Sequence, residues 1–536
     1  MNLTKIKRIP NGLRQRFIHR RNNFRIARMA LQVKKNVRPV SNAPVVFFNA
    51  STRLQGMSLN AGFSLIASWS LQLQGVPVIQ FVCDAGMPRC MLGSVLNAPT
   101  DEPPCSVCRA QSKSLYQHGE VHWFRYDPPE DLLKQVESLT LETMYTYQYN
   151  GIPLGELVLP AIRWVLRCYH LSDTEETRFL YRSYLLAAEG IARQFVALLA
   201  ERKPRRVVVF NGMSFPEATA RWVALQLGIP VITHEVGLQP FTAYFTEGHA
   251  TAYPIEIAED FRLNQRQNER LDAYLEQRFQ GNFSMAGVRF WPTMKALSES
   301  FLTMAARYKQ IVPVFTNVIF DTSQSHANVV FEHMFAWLDA VLTLAKKHPE
   351  ALFVIRAHPD EARPGKSSRE SVAAWAKQQR LDAIPNIVFV DATEYFSSYE
   401  LIQRSKFVMI YNSTIGMEAT LLGTPVLCAA KSRFTQLPTV YFPKTEQVFM
   451  EQAEEFLQAE KVALPDEFVE NTRRFLYTQL FRVSLPFDAF LEEDRVWNGY
   501  VQLKPFEWQA LLPENSEVLR ILTDGLLKGQ PLQMDV

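Results

Sequence analysis

One pattern occurs three times in this chain, and it decides the fold class. Each copy is an apolar run of strand type, an asparagine among small residues, a helix-type segment, and Gly-x-Pro-Val opening the next apolar run. The copies run from Val45 to Val78, Arg206 to Val231 and Phe407 to Val426, with Asn49, Asn211 and Asn412 at the strand ends. Glycine accepts the backbone conformation that ends a helix, and the proline two residues later cannot extend one, so each unit must turn back into a strand. Strand-helix-strand units with near-continuous apolar strands build parallel sheets covered by helices on both faces. The expected fold is therefore α/β, and ligands of such sheets bind beyond the carboxyl ends of the strands, where the three asparagines fall.

At 536 residues the chain is too long for one hydrophobic core. The first two copies belong to a domain spanning about 41–300. Strand signals resume at Ile311 to Phe315 and continue through Leu352 to Arg356, Ile387 to Val390 and Phe407 to Tyr411, giving a second domain over 301–485. A tail, 486–536, is expected to pack back across the first domain. Residues 1–40 hold twelve Lys or Arg and no acid, so within the overall charge of +3 the remainder carries about −9. Leu13, Phe17, Ile18, Phe24, Ile26, Met29 and Leu31 lie among those arginines, the composition of a basic amphipathic helix on an anionic membrane surface. A solvated leader and an organelle transit peptide are the alternatives, and nucleic acid is disfavoured because the rest of the chain is acidic. No run of 18 apolar residues and no signal-peptide pattern is present, so the expectation is a cytoplasmic protein, peripheral at the inner face of a membrane.

The third copy carries the densest chemistry. Tyr411 to Val426 reads Y-N-S-T-I-G-M-E-A-T-L-L-G-T-P-V. Ser413 and Thr414 stand where a helix begins, so its free N-H groups and dipole would attract a phosphate. Gly416 would let that phosphate approach the backbone, and Glu418, one turn on, would reach ribose hydroxyls. The plainer interpretation is a capped helix with a solvated glutamate. His358-Pro359-Asp360 follows the strand ending at Arg356, and His234-Glu235-Val236-Gly237 ends a strand of the first domain. Asn49, Asn211 and Asn317 serve equally as turn formers or ligand contacts. Arg356 could pair with a phosphate or with a nearby carboxylate.

Two parallel-sheet, Rossmann-like domains facing across a cleft describe the GT-B architecture of glycosyltransferases. His358-Pro359 and Asn412-Ser413-Thr414 with Gly416 and Glu418 resemble the His-Pro and Ser-Ser/Thr motifs of bacterial sialyl- and Kdo-transferases and of capsular polysaccharide biosynthesis proteins. Phe210-Asn211-Gly212 through Glu235-Val236-Gly237 is similar to the first-domain pattern of capsule-type transferases. The resemblance implies that His358, with Pro359, meets the donor nucleotide and its phosphate, that Ser413 and Thr414 bind phosphate, and that Glu418 binds the donor ribose. Such transfer needs a stabilised leaving phosphate and a base at the acceptor hydroxyl. Glu235 is the expected base, with His234 or Asp84 as substitutes. The family's paired-acid motif is reduced here to the single acid of Glu235-Val236-Gly237.

The implied function is transfer of a sugar from a nucleotide-sugar donor to a glycan or lipid-linked acceptor in surface polysaccharide synthesis, with no required metal and no nucleic acid partner. A nucleotide-sugar 2-epimerase of the same fold is one alternative, since Glu418 to Val426 is similar to a segment of those enzymes. A non-catalytic scaffold subunit of a polysaccharide-assembly complex is another. Four of the six cysteines, Cys83, Cys90, Cys105 and Cys108, fall within 26 residues. Thiolates so spaced can hold structural zinc, while reduced cytosolic thiols are the default.

Overall fold

The computed structural model describes residues 3–37, 43–50, 56–94, 98–280, 295–363, 367–394, 396–494 and 499–536. Its first sheet has seven strands in the order Leu485–Pro486, Thr242–Thr246, Val231–Val236, Arg206–Phe210, Val45–Asn49, Val78–Cys83 and Glu120–Phe124. The five strands from Val231–Val236 to Glu120–Phe124 are parallel, and the first two pair antiparallel at one edge. The second sheet is wholly parallel, in the order Ile387–Val390, Ala351–Arg356, Gln310–Phe315, Val408–Ile410 and Val426–Cys428. Both are Rossmann-like: the chain enters mid-sheet, builds outward one way, then returns to build the other way. The order reverses beside Val45–Asn49 in one sheet and beside Gln310–Phe315 in the other, which opens a crevice at each strand end.

The strands are apolar because both faces are covered: Val45 to Phe48 and Leu352 to Ile355 are almost wholly buried. The Gly-x-Pro-Val turns form as the sequence requires, with Gly228 and Gly423 at φ of 68° and 85° closing their helices. One face of the first sheet is packed by the helices Leu154–Leu166 and Glu175–Arg202. The other is packed by Leu59–Leu73 together with the C-terminal helix Glu517–Lys528. The tail also adds Leu491–Glu493 and Tyr500–Leu503, which form a small antiparallel sheet with Met57–Ser58. The crossing region expected to begin at 281 lies outside the described residues as far as 294. The helix Glu299–Ala305 beyond it packs on the second domain, with the Leu297 amide donating to Glu400 at 2.8 Å.

The basic N-terminal segment is a long helix, Leu3–Asn36, and its packing corrects part of the expectation from sequence. Ile18, Ile26 and Met29, expected to face a membrane, are buried in the protein along with Ala30 and Val33. Each such burial contributes about 1.5–3 kcal/mol for a large aliphatic side chain. The Arg25 Nη1 donates to the Leu503 carbonyl at 2.6 Å and to Glu492 at 2.8 Å, and the Asn22 Oδ1 accepts from the Leu503 amide. The helix therefore covers the small sheet of the tail. Among the described apolar side chains of the helix, Phe17, Phe24 and Leu31, spaced by seven residues, are exposed on its outer face, and that of Leu13 lies outside the description.

Candidate functional site

The strand ends of the two sheets carry the predicted residues, and the structure sorts them. In the first domain the Asn211 Nδ2 donates to the Glu235 Oε2 at 3.1 Å, while its Oδ1 accepts from the Met213 and Ser214 amides. Asn211 thus shapes the turn after its strand and orients Glu235. Beside them lies Glu217, fully buried at the start of the helix Glu217–Gln226; burial lifts its carboxyl to about 8, and the Glu235 charge adds to the shift. The chain brings two carboxyl groups together at the end of one sheet, and burial holds that of Glu217 protonated.

The substitute bases are corrected. His234 points the opposite way from Glu235, as alternate residues of a strand must. Its ring stacks on Phe245 at 5.1 Å, and burial depresses its pKa to about 3. Asp84 is held by two guanidinium groups, Arg109 at 2.5 Å and Arg125 at 2.9 Å, one on each carboxylate oxygen. Asn49 is likewise structural, donating to Gln80 at 2.6 Å and accepting from Ser64.

In the second domain the Asn412 amide donates to the Asn317 Oδ1 at 3.2 Å, which ties together the two strands flanking the switch point. Gln324 donates to the Asn412 Oδ1, also at 3.2 Å. Ser413 is nearly buried, and Thr414 precedes a helix of seven residues, Ile415–Leu421, without capping it through its side chain. So short a helix has little dipole to offer an anion. His358 stands before the turn Pro359–Ala362, with its Nδ1 accepting from the Asp360 amide at 3.2 Å. Burial keeps its pKa below the ordinary histidine value, against the pull of Asp360 and Asp321. Arg356 is held down to about 10 by burial, with Glu394 the acid that acts on it.

Two roles expected within the third copy change. A Cβ on Gly416 would meet the Ile410 Cδ1 at 2.5 Å and the Phe434 Cζ at 3.3 Å, so this glycine serves close packing of helix on sheet rather than approach of a phosphate. The Glu418 carboxylate is already engaged. Its Oε1 accepts from the Arg278 Nη2 at 2.5 Å and Nε at 2.9 Å, and its Oε2 from the Tyr399 hydroxyl at 2.5 Å. Arg278 lies at the end of Gln265–Phe279, 140 residues earlier.

What sequence reasoning missed is a set of nitrogen donors, two of them cationic, where the domains meet. His249 of the first domain and His326 of the second lie 4.8 Å apart, ring centre to ring centre. Arg221 and Lys431 act on them: burial, then Arg221 and His326, depress His249 to about 4, and burial, Lys431 and Arg221 depress His326. Gly212 joins this group to Glu235, because the Arg221 Cδ would lie 3.0 Å from a Cβ there, and Asn211 is its neighbour. On the second-domain side the Lys431 amide donates to the Ala327 carbonyl, and the Ser432 hydroxyl donates to the Asn412 carbonyl. Buried polar atoms without partners include the Arg221 Nε and His249 Nδ1, among the described residues. Two cations, Arg221 half-buried and Lys431 exposed, beside two half-buried imidazoles suit an anion. No motif marks these four residues; they come together only when the two sheets meet.

Residues 294–437 match the family described as capsule polysaccharide biosynthesis protein. No curated protein matches. Among solved structures, a beta Kdo 2,4 transferase, KpsC from Thermosulfurimonas dismutans, is 12% identical over 52% of this chain and 80% of its own, with a TM-score of 0.35. A beta Kdo 2,7 transferase, KpsC from the same organism, is 13% identical over 55% and 81%, with a TM-score of 0.32. A UDP-GlcNAc 2-epimerase from Neisseria meningitidis, bound to UDP-GlcNAc, is 14% identical over 81% and 98%, with a TM-score of 0.24. The chain resembles capsule polysaccharide biosynthesis proteins over a stretch that holds His358, Ser413 and the helix of Glu418.

Proposed function

We propose that this chain is a GT-B-type glycosyltransferase that moves a sugar from a nucleotide-sugar donor to a glycan or lipid-linked acceptor in surface polysaccharide synthesis. The observation that carries the reading is the cluster of two cations, Arg221 and Lys431, with the neutral imidazoles of His249 and His326 between the strand ends of two Rossmann-like sheets. A nucleoside phosphate there would draw on oriented donors where charge develops on the leaving group. His358, Asn412 and Ser413 line the second-domain side of the same strand ends, and we assign them, with Pro359 and Thr414, to the donor. Glu235, oriented by Asn211, takes the acceptor proton. Neutral Glu217 beside it keeps a second negative charge away from the incoming hydroxyl. Gly416 and Glu418 hold the second-domain helix in place rather than touching donor.

The helix Leu3–Asn36 would bring the enzyme to a lipid-linked acceptor. Its exposed Phe17, Phe24 and Leu31 are interleaved with exposed Arg14, Arg20, Arg28 and Lys35, a face matched to an anionic bilayer.

The test is release of free nucleotide from a panel of nucleotide sugars, with and without a glycolipid acceptor extract. The reading expects acceptor-dependent release from one donor class, abolished in Glu235→Gln while nucleotide binding persists. Acceptor-independent epimerisation of the sugar would replace it with the epimerase. Unchanged turnover in Glu235→Gln and His358→Ala would remove both residues from the chemistry.

A further inference from the structure

We propose that Cys83, Cys90, Cys105 and Cys108 hold one zinc ion. All four line a single cavity of about 20 Å³, whose other walls include Ala50, Met87, Leu92 and Pro103. That volume admits one ion or one water-sized species, too little for a multi-iron cluster. The chain reaches it from three directions. Cys83 is the last residue of the strand Val78–Cys83, Cys90 lies on the loop that follows, and Cys105 and Cys108 occupy the first turn of the helix Cys105–Leu115.

The backbone is arranged for sulfur that carries negative charge. The Gly86 amide donates to the Cys83 Sγ at 3.2 Å, and the Gly93 amide donates to the Cys90 Sγ at 3.2 Å. These are two copies of one Cys-x-x-Gly turn, seven residues apart, each aiming an N-H at a thiol. A neutral thiol is a weak acceptor and a metal-bound thiolate a strong one. The second turn also needs its glycine, since a Cβ on Gly93 would meet the Pro103 Cβ at 2.4 Å and the Cys90 Sγ at 2.9 Å. That contact brings the segment leading into the helix of Cys105 against the loop carrying Cys90.

All six cysteines are unbridged, so a disulfide does not account for the cluster. Among the described residues no set of three or more His, Cys, Asp or Glu stands in closed metal-ligating geometry. The thiols surround the cavity, and binding draws them in to Zn-S distances of about 2.3 Å. Four thiolates with no solvent-facing carboxylate or histidine make a structural site. It would staple the loop between two strand ends of the first domain and fix Asp84, whose carboxylate holds Arg109 and Arg125.

Metal analysis of the full chain, purified without added zinc or chelator, is expected to find about one zinc per protein, the stoichiometry of a tetrahedral four-cysteine site. Mercurial titration should release it, with Cys168 alone reacting readily beforehand. Cys105→Ser/Cys108→Ser should lose the metal, and Cys168→Ser/Cys428→Ser should keep it. Wild-type protein with no metal and with Cys90, Cys105 and Cys108 immediately reactive would overturn the proposal, whatever the variants do. A chain carrying iron and inorganic sulfide would overturn zinc in favour of a cluster.

Discussion

Replacing Glu418 by glutamine keeps its shape and removes its charge, so it separates a structural glutamate from a ribose ligand. The Arg278 guanidinium meets its Oε1 through two nitrogens, and the two side chains are only 13% and 8% exposed. Glutamine would take away the carboxylate charge that faces this buried cation, a loss of about 3–5 kcal/mol for a broken buried pair. At about 2–4 °C per kcal/mol for a domain of this size, the melting temperature should fall by roughly 6–20 °C. Arg278→Met should cost a similar amount, and the Arg278→Met/Glu418→Met pair distinctly less than the two single losses together, because no orphan charge remains. Thermal unfolding by circular dichroism measures all of these, and calorimetric titration of the folded Glu418→Gln protein should show nucleotide affinity within about threefold of wild type. A variant that melts normally but binds nucleotide at least tenfold more weakly would refute the reasoning and return Glu418 to the ribose.

Three further outcomes follow from the packing and the titrating groups. Gly416→Ala drives a methyl against Ile410 and should destabilise by about 1–3 kcal/mol, read by denaturant unfolding, with the nucleotide constant of the folded protein unchanged. Glu217, neutral when folded up to about 8 and ionised when unfolded above about 4.3, binds the extra proton in the native state, so its contribution to stability falls as pH rises through that window. Glu217→Gln should therefore gain melting temperature over wild type progressively from pH 5 to pH 8, about 4.3 and 8 being the bounds; a constant difference would refute it. Phe17→Ser/Phe24→Ser should leave the fold intact, because both side chains are exposed, and should weaken sedimentation with anionic but not neutral vesicles.

The fold was legible where its signals were local. Gly228 and Gly423 end helices as their Gly-x-Pro-Val contexts require, and apolar Val207 to Val209 and Val408 to Ile410 sit at sheet centres because alternating polarity is absent from them. Strand Glu120–Phe124, an edge with exposed alternate residues, gave no such run. In the proposed site, Asn211, Glu235, His358 and Asn412 were legible because each lies at or just beyond the carboxyl end of a strand. Glu418 misled because its partner lies in another helix, far along the chain, and nothing near it shows the pairing. His234 was indistinguishable from Glu235 until the strand's facing was known. The N-terminal helix shows apolar residues on more than one face, and sequence alone could not say which face the tail would cover. Arg221, His249, His326 and Lys431 belong to four separate segments, so only the meeting of the domains assembles them.

That cluster is the most direct point at which to test the account. Calorimetric titration of UDP, GDP, CDP and CMP should find one nucleotide that binds wild type, more tightly as pH falls from 7.5 to 5.5, about the span in which neutral His249 and His326 take up protons beside a phosphate. Arg221→Gln/Lys431→Gln removes two charged donors, each worth about 1.5–3 kcal/mol, and should weaken binding by roughly a hundredfold or more. If no nucleotide binds with acceptor and divalent metal present, or if the double variant binds as wild type does, the cations do not hold a donor phosphate and the transferase reading fails with them.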